Sequence, residues 1–150
     1  MGQQQLLLVI LVTIIVGIAT VVAINTFSSA ADSANLDAVR QDVASIAASA
    51  QGYYMKPEMM GGGGQDFSSI TFDDISFAAT DINSDGSIAF NQNGVYVISA
   101  GGSDSFTITA HPASEMDGAP SLSNTATNTM VAVIEQDNID WTRSSPGSGN

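Results

Sequence analysis

The chain has 150 residues and no cysteine, and its 3 Lys plus Arg face 15 Asp plus Glu for a formal net charge of −12 at pH 7. The missing thiol excludes a disulfide framework, a thiolate metal site and an attached c-type haem. The acidic surplus excludes electrostatic capture of nucleic acid or anionic lipid, and it all lies at or beyond Asp32.

Residues 1–27 carry none of that charge. Leu6–Ile24 is an apolar run relieved only by Thr13, Gly17 and Thr20. Its 19 residues would rise about 28 Å as a helix, enough to cross the hydrocarbon core of a bilayer. No basic residue precedes Arg40, although Lys or Arg on the cytoplasmic side normally orients a first membrane helix. Met1 is therefore expected to be a mature terminus left by cleavage of a short basic leader, with the apolar segment retained. A secretory signal peptide would lose that segment. The alternative is a signal-anchored protein with an unusual start.

Asn25–Ser29 links this segment to an amphipathic helical pattern over residues 28–60. Leu36, Val39, Val43, Ile46, Ala50 and Tyr53 follow a 3-4-3-4-3 spacing that stacks them on one helical face. Asp37, Gln41, Asp42, Ser45 and Ser49 are expected mostly on the other side. Pro57 and Gly61–Gly64 end the helix, the glycines serving as a hinge or tight connector. Gly17 and its β-branched neighbours weaken the apolar stretch too little to break it, so one helix is expected from about Gln3 to Tyr54.

Residues 61–150 change to a period of two. Ser87–Asn91, Val95–Ala100, Phe106–His111, Met130–Gln136 and Ile139–Arg143 read as strands, separated by short turn-rich stretches that favour an antiparallel meander. Phe67–Phe77 fits either a short strand or one helical turn. Ala113–Asn128 reads as a surface loop, and Ser144–Asn150 as a loosely ordered tail. The fold class is α+β: a long hydrophobic-then-amphipathic N-terminal helix packed on a small C-terminal antiparallel β head.

An apolar N-terminal rod, an amphipathic continuation and a small β head together resemble the type IV pilin family, most closely over Met1–Tyr54. The resemblance implies N-methylation at Met1 and lateral packing in a filament core by Gln5, Leu6, Leu7, Leu8, Ile10, Leu11, Ile14, Ile15, Gly17, Ile18, Val21 and Val22. Three departures stand out. Gln5 occupies the place of a usual glutamate and lacks its charge-assisted pairing. No proline interrupts the apolar segment, and no cysteine pair staples the head.

One segment admits metal chemistry. Asp81-Ile82-Asn83-Ser84-Asp85-Gly86 opens like a calcium loop, with Asp81, Asn83 and Asp85 at alternate positions before a glycine. The twelfth position is Gln92 instead of a bidentate glutamate. A truncated site completed by Asp73 or Asp74 is one reading, and an Asx-rich turn before a strand is the other. No cofactor other than calcium is suggested by the sequence.

Catalytic constellations are weak, and no enzyme is expected. His111, before Pro112 at a strand end, reads as a surface residue in a turn. Asp73 and Asp74, adjacent in a strand, would face opposite ways. Gly61–Gly64 lacks the Lys-Ser/Thr of a phosphate loop.

The expected function is structural: a homo-oligomeric, extracellular pilus-like helical filament for adhesion, motility or surface interaction. Its subunits would wait in the cytoplasmic membrane and depend on a pilin peptidase and assembly machinery. The alternatives are a minor pseudopilin of a secretion system and a single-pass membrane-anchored binding module.

Overall fold

The apolar run, the amphipathic stripe and the linker between them are all helical. In a computed structural model describing residues 2–99 and 101–144, helix α1 spans Gly2–Met55. Asn25–Ser29 does not interrupt it, because no proline or glycine lies there to oppose the local helical bonds. Thr13, Thr20 and Thr26 each turn a hydroxyl back to the carbonyl four residues earlier, at 2.8–2.9 Å. That bond satisfies the one polar group each of them adds to an apolar surface.

The chain forms two compact units, Met1–Ala34 and Asn35–Asn150. The first is helix alone, and its described residues are exposed throughout. The second combines the end of α1 with strands β1 (Asp81–Ile82), β2 (Ile88–Phe90), β3 (Gly94–Ser99), β4 (Ser105–Pro112), β5 (Thr129–Glu135) and β6 (Ile139–Ser144). Among the described residues these make a six-stranded antiparallel meander in sequence order. Short connections allow each strand to pair with the next, so no crossover is needed.

Alternation along the strands puts one set of side chains on α1. Tyr96, Ala110 and Met130 line up in one row across the strands, Ile98, Ile108 and Ala132 in the next, and Phe106 and Ile134 beside them. Val39, Val43, Ile46, Ala47, Ala50 and Tyr53 of α1 are buried in the same core, and Leu36 packs at its margin. At roughly 25 cal/mol per Å² of apolar surface removed from water, this contact holds the second unit together.

Segment 67–77 is neither the strand nor the helical turn that its pattern allowed. It runs as turns and irregular chain, yet Phe67, Ile70, Phe72 and Ile75 are buried. Its backbone is satisfied by the head: the Phe67 N–H donates to the Ser103 carbonyl at 3.0 Å and that of Phe72 to Gly86 at 2.7 Å. Aromatic contacts fill the gap beside the helix, with Phe67 centred 4.6 Å from Tyr54 and 5.1 Å from Phe106. Burial of these rings outweighed local propensity.

Gly61–Gly64 is the tight connector of the two readings. The N–H groups of Gly63, Gly64 and Gln65 donate to the carbonyls of Tyr53, Lys56 and Tyr54, each at 2.9 Å. The run thus folds back on carbonyls that a helix end leaves unpaired. Gly63 is buried there, and a Cβ on it would collide with the Asp66 carbonyl oxygen.

Candidate assembly surface

Along α1 the apolar side chains from Leu6 to Ile24 turn outward on every side. Leu6, Leu7, Leu8, Ile10, Leu11, Ile14, Ile15, Ile18, Val21 and Val22 are each about half exposed or more. Gln5 and Gly17 lie on the same exposed helix, and a Cβ on Gly17 would meet nothing within 4 Å. The helix is long and apolar enough to cross a membrane, and none of its apolar window is buried within the chain. Met1, the expected processing position, lies outside the described residues, as do Ala100 and residues 145–150 of the expected tail. A helix hydrophobic all round must find lipid or protein to cover it.

The Asp81–Gly86 segment forms the turn of the β1–β2 hairpin. Asn83 Oδ1 accepts the Ile88 N–H at 2.9 Å, and its Nδ2 donates to Ser87 Oγ at 3.2 Å. Gly86 takes the left-handed conformation, φ 67°, and donates its N–H to the Asn83 carbonyl at 3.0 Å. Asp81 Oδ1 accepts the Ile82 N–H at 2.9 Å. Of the two carboxylates considered for completing a site, Asp74 is engaged by the N–H and hydroxyl of Thr71. Calcium takes about six to eight oxygens. Among the described residues no three His, Cys, Asp or Glu side chains converge on a metal position, and the side-chain oxygen of Asn83 is spent on closing the turn.

His111 is not the surface residue expected from its place before Pro112. It is 9% exposed, and its Nδ1 accepts the Ala126 N–H at 3.1 Å. The 113–128 loop therefore folds over this end of β4. Burial holds the imidazole below its usual pKa, so the neutral ring is the favoured form.

Asp42 also departs from expectation. Placed on the polar side of α1, it is instead half-buried, and its Oδ2 accepts from Asn91 Nδ2 at 2.8 Å, Asn93 Nδ2 at 2.8 Å and Tyr96 Oη at 2.6 Å. The available signal was its spacing, three residues after Val39 and four before Ile46, which puts it on the border of the apolar stripe. Asn35 adds a second tie, donating to the Asn93 carbonyl at 2.9 Å and accepting the Ser114 N–H at 3.1 Å. Side chains of α1 thus grip the β2–β3 turn at two points.

The chain matches no protein-family model, no curated protein and no solved structure. Outside Leu6–Ile24, the described large apolar side chains that stay exposed are Phe27, Met55, Met59, Met60 and Trp141. The continuous apolar surface therefore belongs to the first unit, and the second is acidic and closed around its own core.

Proposed function

We propose that this chain is a structural subunit of an extracellular helical filament of the type IV pilin kind, held in the cytoplasmic membrane before it assembles. The observation that carries the reading is the apolar surface of Leu6–Ile24, uncovered along its whole length. Lipid can cover it before assembly, and the same helices of neighbouring subunits can cover it afterwards. Packing without water yields roughly 25 cal/mol per Å² of apolar surface removed, and Gly17, Ala19, Thr20 and Ala23 are small enough for close helix approach. The neutral Gln5 places no charge at the start of that packed surface, so cohesion here rests on apolar contact. The residues from Asn35 onward, with their own buried core, supply an acidic exterior for contact with the surroundings.

Electron microscopy of material sheared from the producing cells tests the reading. Thin helical filaments containing this chain are expected. Chain recovered only from the membrane fraction, with no filaments, would favour a single-pass anchor carrying a binding module. Gly17→Asp sharpens the test, since an unpaired carboxylate among packed apolar helices costs several kcal/mol. Filament yield should fall to background, and normal yield would remove Leu6–Ile24 from the filament core.

A further inference from the structure

The exposed Trp141 side chain, the only tryptophan in the chain, does not stand alone. It is 40% exposed and, with Leu36, Arg40, Met130 and Thr142, lines a cleft of about 190 Å³ on the Asn35–Asn150 unit. Leu36, Met130 and the indole are apolar walls, and Arg40 supplies a cation. One corner of its guanidinium is used, Nη1 contacting Asp37 Oδ1 at 2.6 Å, and half of the side chain remains in solvent. A guanidinium has five donors, so this one can take a further carboxylate.

The volume narrows the ligand. Clefts for small molecules typically run to about 300–1,000 Å³, whereas this one has room for a single side chain. Apolar walls beside an arginine suit an aliphatic stem that ends in a carboxylate, the shape of Glu or Asp. The chain itself carries 15 such residues against 3 cations. Identical acidic surfaces brought side by side repel one another, and each arginine is a rare place where charge complementarity reverses the sign. Tryptophan and arginine are also the side chains most often found at the energetic centre of protein interfaces.

We infer that the Leu36–Arg40–Trp141 cleft is a docking site for an acidic side chain of a second copy of this chain, forming a lateral contact between the Asn35–Asn150 units of neighbouring subunits. The inference rests on the filament reading and adds to it a polar, salt-sensitive contact outside the apolar helices.

Trp141 is its own probe. Fluorescence of the full chain is compared between subunits in detergent micelles and intact sheared filaments. In filaments the emission should move to shorter wavelength and quenching by acrylamide should fall severalfold. Arg40→Glu should lower filament yield about tenfold, the loss expected when an interface anchor is replaced. Asp37→Asn, which removes only the ion pair within one chain, should assemble normally. The thermal midpoint of Arg40→Glu in micelles should match the wild type, which separates lost docking from lost folding. A photo-cross-linker at position 141 should capture an acidic segment of another copy. Filaments in which Trp141 stays fully quenchable, or wild-type yield from Arg40→Glu, would overturn the docking site and leave the filament reading standing. Cross-linking to a foreign protein would overturn the choice of occupant, and failure of the wild type to form filaments would sink both readings.

Discussion

Tyr96 Oη donates to Asp42 Oδ2 at 2.6 Å across 54 residues of sequence. That contact joins the helix to the β3 strand, and it is short because the acceptor is a carboxylate. Two asparagine amides share the same oxygen, so one side chain of α1 holds the β2–β3 hairpin through three donors, beside the separate tie from Asn35.

Removing the carboxylate should cost more than removing any one donor. Asp42→Ala leaves the buried Tyr96 hydroxyl and two half-buried asparagine amides without their acceptor, and we expect a loss of about 2–3 kcal/mol; Tyr96→Phe should lose about 1.5 kcal/mol. Urea unfolding of the full chain in micelles measures both. The double variant should lose less than the sum of the two, and full additivity would show that the contact contributes nothing.

Tyr96 should resist ionisation. Burial raises its pKa first, and the hydrogen bond and negative charge of Asp42 raise it further. A folded state that holds the proton more tightly keeps its full stability below the unfolded value of about 10 and loses it as pH rises beyond. Ultraviolet titration should therefore show a phenol that ionises only as the head unfolds. Its titration near pH 10 in the folded protein would contradict the buried contact.

His111 works in the opposite direction. Burial lowers its pKa, so its contribution is complete above about 6.5 and declines as pH falls through that value towards the folded one. Protonation at Nδ1 would also remove the acceptor that holds the Ala126 N–H. The urea midpoint should drop as pH falls below about 6.5, and His111→Phe should flatten that part of the curve. An equal slope in the variant would assign the drop to other groups.

Two glycines should respond with opposite signs. A Cβ on Gly52 meets nothing within 4 Å, so Gly52→Ala should stabilise α1 by about 0.5–1 kcal/mol through helix propensity. A Cβ on Gly63 would collide with the Asp66 carbonyl and the Tyr53 ring, and Gly63→Ala should destabilise by about 2 kcal/mol. Thermal melts of the two variants, followed by circular dichroism, compare them directly.

Hydrophobic period by itself determined the long helix, the change to strands after the glycine run, and the buried stripe Val39-Val43-Ile46-Ala50-Tyr53. These were legible because helix and strand place side chains at fixed intervals, so the pattern is a property of neighbouring residues. The strands after the turns at Asn91–Gly94 and Gly101–Asp104 follow for the same reason, the turn chemistry being local. The apolar surface of Leu6–Ile24 was legible too, because a helix apolar on every side has no polar face to turn to water.

Tertiary structure decided the rest. Segment 67–77 abandoned both local options once Phe67 and Phe72 found a core to fill. Asp42 is a half-buried acceptor instead of a solvated one because Asn91, Asn93 and Tyr96 arrive from some 50 residues away. His111 is buried by a loop that returns 15 residues later, and the Arg40–Trp141 cleft joins positions 101 residues apart (141 − 40). Each of these depends on which strands pair and in what register. Short turns give the order of the strands, but the register and the side chains that meet across it are settled by the summed burial of the whole sheet, which no short window of sequence contains.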